Sequence, residues 1–582
     1  MNDPDPSSPA PKNAPRHSAG RDLTGRQLRK ARARLKRRWP RRALILVNAL
    51  VLVCIVAMGS AYVYVNNLIG GIKTLPGSGE TPTGLSGVGS GGPPQTALPG
   101  ASGLHPENIL LIGNQTRQGL TPAQQLQYGT SLGSGSLADI MMVLHLDPTT
   151  GTASILSIPR DLFAPMPAGS AVGPFQKIDA ALNNGADGPN NLVNAIQDDL
   201  GIPINHFVEL NFNGFINTVN ALHGINVYFP ERLWDAESLL WVPKTGCVHL
   251  DGWQALTLVR ARHLQYDPPG DNAPRYDWPQ EPLSDLARIG RTHTFLKILF
   301  NRAKSEGLTN PLAANAFLSA VADQLTVDPA LKPEMIKLVL HYRNLNVGAV
   351  HEATLPATYV NNYYYNNYVM GDVLFPVQPV DNNVIRAWDP EVFANLAKPS
   401  SVSVQSITGS YQAALAAGQA LASDGLNVSG ESVGTVPSPT TETWVLYHST
   451  RDISRAMYVM KYLSGSVMMQ LDPAVPAGTV QVQLGSVVSV RSGTLPGTST
   501  STTLAGAVPT TTTTLAPTST SSSTTTTSTT STTPATSTTT ASGASVPSTS
   551  ASTTTSTTVP TPGGSPVSSA KTQVEPWDPR AC

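Results

Sequence analysis

An uncharged run from Ala43 to Ile72, set directly behind a basic cluster, constrains this chain more than any other feature. Its most apolar part, Ala43 to Val65 (ALILVNALVLVCIVAMGSAYVYV), is 23 residues long. As a helix rising about 1.5 Å per residue it reaches about 35 Å, enough to cross a hydrocarbon core of about 30 Å. RRWPRR precedes it, and Trp39, Tyr62 and Tyr64 lie near its two ends, where aromatic rings favour the interface. A buried core helix fits poorly beside such a cluster. A cleaved signal peptide is an alternative, because Gly59-Ser60-Ala61 are small. A signal's apolar region is usually about 7–15 residues, however, and this run is longer. The expectation is a single retained transmembrane helix over 43–65. The positive-inside rule then puts the basic tail 1–42 in the cytoplasm and the rest of the chain outside the cell membrane.

Charge supports this polarity. Residues 1–42 carry 13 Lys/Arg against 3 Asp, a local net of +10. The whole chain balances at 38 of each sign, so the remainder carries −10. A uniformly basic nucleic-acid binder is excluded. Three cysteines in 582 residues also exclude a disulfide-stapled mini-domain and a cysteine-based zinc module.

Residues 66–103 contain a Gly/Pro/Ser-rich stretch (LPGSGETPTGLSGVGSGGPPQTALPGAS) and read as a flexible linker. Residues 501–560 contain 41 Ser/Thr and no charge. Such a tract cannot bury enough apolar surface to offset chain entropy, so 493–582 is expected to be a disordered tail. Two folded regions remain, 104–390 and 400–492. In the first, Asn108–Ile112, Ile140–Leu146 and Ala153–Ile158 have strand length. Asn190–Leu200, Phe212–Leu222 and Ser284–Lys304 have helical apolar spacing. That mixture predicts an α/β fold, a layered α-β-α domain. The second region repeats the style on a smaller scale. It has strands at Ser401–Val404, Thr443–Tyr447 and Val480–Val490, and helices at Tyr411–Asp424 and Asp452–Leu463.

Only 13% of the chain is charged, so its arginines in apolar surroundings call for explanation. Arg160 follows an apolar run in SIPRD, and Lys177 sits in GPFQKIDAAL. Arg260 and Arg262 lie in LTLVRARH; Asp285, Arg288 and Arg291 lie in SDLARIGRTH. Arg260 and Arg262 share a side if extended and diverge by about 200° in a helix. Asp285 and Arg288, three apart, share a helix face. Guanidinium groups brought together repel unless an anion lies between them, and their planar paired donors match phosphate oxygens. A phosphate or pyrophosphate ligand follows, with Asp139 as a divalent-metal ligand. Each residue also has a plainer reading. A lone Arg is commonly a salt-bridge partner, Asp285 with Arg288 an ordinary helix pair, and Asp139 a turn residue.

At these residues the sequence resembles the LytR–CpsA–Psr (LCP) family of bacterial envelope proteins. The matching stretches are NILLIGNQTR, LADIMMVLHLDP, SILSIPRDL, KIDAALNNG, IPINHFVELNFNGFINTVNALHGINVYFP, LDGWQALTLVRARH and DLARIGRTHTFL. They cover about residues 104–305, with a weaker continuation to about 390. Residues 401–492 are similar to the LytR C-terminal domain that follows in many actinobacterial members.

The resemblance implies a membrane-anchored transferase acting outside the cell. It would move a glycan phosphate from a polyprenyl-pyrophosphate-linked donor to a peptidoglycan hydroxyl in cell wall assembly. Asp139 would hold Mg²⁺ or Mn²⁺. Arg117, Lys177, Arg260, Arg262 and Arg291 would bind phosphate, with Arg160, Asp285 and Arg288 catalytic. The sequence departs from the family where Gln115 replaces a usual Asp metal ligand, Leu137 a usual Arg and Thr292 a usual Gln. A neutral amide oxygen is a weaker partner for a hard cation. A catalytically weakened paralogue that binds polyprenyl phosphate as an envelope scaffold is therefore the alternative function. A DNA-binding regulator is disfavoured, because the basic arm has no helix-turn-helix pattern and juxtamembrane charge is explained by anionic lipid. The expected partners are the lipid-linked donor, peptidoglycan and the bilayer, without specific nucleic acid. Cys247 and Cys582 would lie outside and either pair or leave a free terminal thiol. A long disordered loop makes pairing inefficient, and a functional role is not expected. The sequons at Asn114 and Asn427 are read as chance.

Overall fold

The computed structural model describes residues 63, 67, 70–75, 105–116, 136–309, 321–491, 501–503 and 575–582, apart from a few single positions and the stretches 271–272, 366–367 and 435–440 within those ranges. The expected basic tail, nearly all of the apolar run 43–65 and the bulk of the Ser/Thr tract lie outside the described residues. Among the described residues no helix is long and apolar enough to cross a membrane.

The first folded region is built on a seven-stranded mixed sheet. Its strands are β1 (Lys73–Thr74), β2 (Glu107–Asn114), β3 (Ala138–Asp147), β4 (Thr152–Ser157), β5 (His206–Asn211), β6 (Leu325–Val327) and β7 (His351–Thr354). Their spatial order is β1-β6-β5-β2-β3-β4-β7. β2 is parallel to β5 and antiparallel to β3, and β3 is antiparallel to β4. The central strands are buried on both faces, which explains their nearly continuous apolar sequence. The helices are α1 (Gly188–Leu200), α2 (Phe212–Ala221), α3 (Gly252–Arg260), α4 (Ser284–Thr309) and α5 (Met335–Tyr342). α1 buries Leu192, Val193, Ile196 and Leu200, a stripe at helical spacing. It stops at Gly201, whose φ of 68° and αL conformation suit glycine.

The second region has a five-stranded sheet and two helices. Strands Val428–Val433, Val402–Ser406, Val480–Leu484, Thr443–Tyr447 and Val467–Leu471 lie side by side in that order. Tyr411–Ser423 and Ile453–Met460 are helical, as the spacing predicts. The mixed α/β class holds in both regions. They are not independent bodies, however. One continuous core runs from Leu110, Leu156 and Phe207 through Ile196 to Val404, Tyr447, Met457 and Val482.

The expectation of a disordered tail over 493–582 is corrected at two places: Ser501–Thr503 pair antiparallel with Ser489–Arg491, and the last residues fold back. Residues 575–582 return to the first region. Arg580 and Ala581 pair antiparallel with Tyr228 and Val227 of the strand Ile225–Phe229. Trp577 stacks on Tyr266 with ring centroids 3.9 Å apart. Cys582 forms a disulfide with Cys247 across 335 residues of sequence. An aromatic side chain, a strand edge and a covalent link supply here what the Ser/Thr tract lacks.

Candidate functional site

The site forms where local rules end three elements at one edge of the main sheet. β3 begins at Ala138, which places Asp139 at the edge. β4 ends at Ser157, and Pro159, which has no N–H for a ladder, turns the chain so that Arg160 and Asp161 follow. The short strands Phe163–Pro165 and Phe175–Lys177 pair with Phe163 opposite Lys177, which carries Lys177 back beside Asp161. α3 opens on a capping box between Asp251 and Gln254. It closes at Arg260, because Ala261 leaves the helix at ψ 122°. The buried Asp235 then accepts hydrogen bonds from the backbone N–H groups of Arg262 and His263, both at 2.9 Å. α4 contributes Asp285 in its first turn and Arg288 one turn on.

These side chains converge. Arg160 donates to Asp139 Oδ1 at 2.5 Å, and its Nε lies 3.5 Å from Asp161 and 3.8 Å from Asp285. Lys177 Nζ meets Asp161 Oδ1 at 2.9 Å. Arg262 bridges Asp161 at 3.4 Å and Asp285 at 3.3 Å. Arg288 pairs with Asp285 at 2.9 Å and donates to the backbone oxygen of Asp139 at 2.8 Å. Four cations thus share three carboxylates. Neither Arg160 Nε nor Arg288 Nε makes a hydrogen bond in this arrangement. Behind the cluster Met141, Met142, Ile158 and Ile289 line a small void beside Asp139 and Arg288, of about 10 Å³, room for a water molecule at most.

Burial and charge act against each other here. Burial alone would lower the Arg160 pKa, but Asp139, Asp161 and Asp285 outweigh it and hold it above the ordinary arginine value. Burial would raise Asp161, but Arg160, Lys177 and Arg262 keep it below the usual carboxylate range. Asp179 is pushed up to about 7, chiefly by burial, with Arg160 pulling the other way.

The remaining expected residues fall elsewhere. Arg260 lies 4.6 Å over the ring of Phe212. The expectation that Arg291 binds phosphate is corrected. Its side chain is 1% exposed, paired with Glu281 and bonded to the Ala261 oxygen. A guanidinium so enclosed and neutralised cannot reach a ligand; it fixes the turn that presents Arg262. Arg117 lies outside the described residues. Gln115 donates its backbone N–H to Leu137 O at 3.2 Å, next to the Asp139 strand end. Three carboxylates without an assigned role complete the site: Asp161, Asp179 and Asp235. Asp161 is signalled only by standing beside Arg160 in sequence. The other two become visible only when the chain is folded.

Mg²⁺ commonly takes one or two carboxylates and completes its shell with water and phosphate oxygens. Asp139 supplies one carboxylate, already hydrogen-bonded to Arg160. Asp285 is surrounded by three guanidinium groups and is a poor cation ligand. The donor set therefore fits a cation only when a phosphate ligand contributes most of its shell.

Residues 94–375 match the model of the LytR_cpsA_psr family. The chain is 30% identical over 269 residues to the probable cell wall biosynthesis protein LcpB of Corynebacterium glutamicum, covering 46% of this chain and 58% of that protein. It is 32% identical over 177 residues to the polyisoprenyl-teichoic acid–peptidoglycan teichoic acid transferase TagV of Bacillus subtilis, covering 30% of this chain and 40% of that one. The crystal structure of B. subtilis TagV superimposes with a TM-score of 0.37 at 22% identity, covering 50% of this chain and 97% of that one. The chain thus spans less than two thirds of the length of the two sequence relatives. Over residues 94–375 this chain is similar to the LytR–CpsA–Psr family, whose model it matches there.

Proposed function

We propose that this chain transfers a glycan phosphate from a polyprenyl-pyrophosphate donor to a peptidoglycan hydroxyl, outside the cell and anchored by residues 43–65. The observation that carries the reading is the convergence of Arg160, Lys177, Arg262 and Arg288 on three carboxylates at one edge of the main sheet. Converging cations suit a pyrophosphate. The Cys247–Cys582 disulfide suits an oxidising compartment. The names of the two sequence relatives, one a cell wall protein and one a teichoic acid transferase, favour the same chemistry.

In the reaction the acceptor oxygen attacks the glycan-bearing phosphorus. The P–O bond to the distal phosphate breaks, and polyprenyl phosphate leaves. Fixed guanidinium groups stabilise charge that grows on the phosphoryl oxygens. Asp285 holds Arg160, Arg262 and Arg288 in register. The acceptor's proton passes to a carboxylate of the cluster. Asp139 would hold Mg²⁺ or Mn²⁺, which would neutralise charge on the donor.

Whole chain in detergent, given a lipid-linked glycan donor, peptidoglycan and Mg²⁺, should release polyprenyl phosphate. Arg160→Ala should lower that rate at least 100-fold. Absence of release under a broad metal screen rejects the transferase reading. The weakened-paralogue reading is favoured by Gln115 beside Asp139 and predicts donor binding without turnover. Gln115→Asp should tighten Mn²⁺ binding and raise turnover if the enzyme reading holds.

A further inference from the structure

A second cluster lies at the other end of the main sheet. Glu107 opens β2, His206 opens β5, and Glu334 immediately precedes α5. The β2–β5 register pairs Ile109 with His206, which brings the two strand starts together. One ligand atom from each of Glu107, His206 and Glu334 lies within 4.8 Å of the others. From Glu107 to Asn114 is seven residues, about 23 Å of strand, so this cluster is remote from Asp139.

The histidine is aimed. Its Nδ1 lies 3.1 Å from Asp328 Oδ2, and a carboxylate there makes that nitrogen the donor. Asp328 is itself fixed by the backbone N–H groups of Phe207, Ala330 and Leu331 at 2.9–3.0 Å. The ring is thereby locked with Nε2 turned to Glu107 Oε2 at 3.6 Å, beyond hydrogen-bond length. Glu107 and His206 are each 7% exposed. Glu107 Oε2 is buried without a hydrogen bond, and so is the Tyr342 hydroxyl on α5. Buried oxygens of this kind cost stability unless something answers them. Without a metal, a proton on His206 attracts Glu107, Asp328 and Glu334, and Glu107 and Glu334 share a second proton in a hydrogen bond. A divalent cation answers all three groups at once.

We propose that Glu107, His206 and Glu334 form a site for a zinc- or manganese-type divalent cation that ties β2, β5 and the start of α5 together. An imidazole nitrogen with carboxylates selects these ions over Mg²⁺ and Ca²⁺, which prefer all-oxygen shells. Asp328 is the orienting partner that metal-bound histidines ordinarily have. Ligand distances of about 2.0–2.2 Å require the three groups to close in slightly, and the half-buried Glu334 is the one free to do so.

The test uses whole chain in detergent, stripped with chelator and titrated with Zn²⁺, Mn²⁺ or Mg²⁺ alone. Bound metal is counted by mass spectrometry after dialysis, and melting is followed by circular dichroism. One equivalent of Zn²⁺ or Mn²⁺ should remain and should raise the melting temperature, while Mg²⁺ should not. Glu334→Gln, half-buried and benign to the core, should weaken that binding at least tenfold. Asp139→Asn, at the other end of the sheet, should leave the equivalent in place. If stripped chain retains no Zn²⁺ or Mn²⁺, or if Glu334→Gln binds as the wild type does, the site does not exist.

Discussion

At the scale of single residues, the arginines separate by what encloses them. Arg262 is one-third exposed and shared between Asp161 and Asp285, whereas Arg291 is sealed against Glu281. The two should therefore fail differently. Arg291→Ala removes the buried cation that Glu281 pairs with, a loss of about 3–5 kcal/mol. A urea titration should show a clear drop in midpoint. Arg262→Ala exposes its partners to water and to neighbouring cations. It should leave the urea midpoint within about 0.5–1 kcal/mol of wild type. Donor-lipid binding, measured by intrinsic fluorescence, should instead weaken at least tenfold. Equal effects of both variants on stability would contradict this division. The sequence could not make it, because Arg288 and Arg291 occupy equivalent places on one helix. Which wall each meets depends on Glu281, in the loop ten residues before Arg291, and on Asp139, 149 residues from Arg288. Arg260 and Arg262 pose the same problem. Their separation depends on α3 ending at Arg260, a boundary that one residue of fraying would move.

At the scale of elements, strands with unbroken apolar runs were legible and breaks were not. Thr443–Tyr447 is a strand over the residues its composition predicts. Val480–Val490 reads as one strand but is two, Val480–Leu484 and Val488–Arg491. A Cβ at Gly485 would lie 2.3 Å from the Glu442 oxygen, so the backbone there passes too close for any side chain. The C-terminal strand was illegible for another reason: it is held by partners more than 300 residues away in sequence. That strand should be an anchored element and not a loose end. With the disulfide intact, Cys582 should resist alkylation in the native whole chain. Cys247→Ser should render it reactive. Trp577→Ala in the Cys247→Ser background should further expose Arg580 to trypsin, because stacking on Tyr266 is then also lost. Equal cleavage at Arg580 in the single and double variants would show that Trp577 does not hold the strand.

At the scale of the whole molecule, the shared core makes the two folded regions one cooperative body, and its seam carries buried acids. α1 ends against the second sheet. The Tyr447 hydroxyl donates to Asp198 at 3.1 Å, and the Met469 N–H donates to Asp199 at 3.3 Å. Burial pushes Asp199 up to about 8 and Asp198 up to about 6, and the hydrogen bonds only partly offset it. In the unfolded chain both would titrate near 3.9. The folded state thus binds protons more tightly than the unfolded state between about pH 4 and pH 8. Stability from these groups is greatest below the unfolded value and falls as pH rises, levelling off above about 8. Denaturation midpoints taken from pH 5 to pH 9 should decline accordingly. Asp199→Asn keeps an oxygen for the Met469 N–H but has no proton to lose. It should flatten the decline and be the more stable protein at pH 8.5, by on the order of 1–3 kcal/mol. The same variant should bring the first and second regions through unfolding together, since one core joins them. If variant and wild type fall in parallel with pH, the seam is not where the protons are held. If the two regions melt in separate steps, the continuous core does not make them one folding unit.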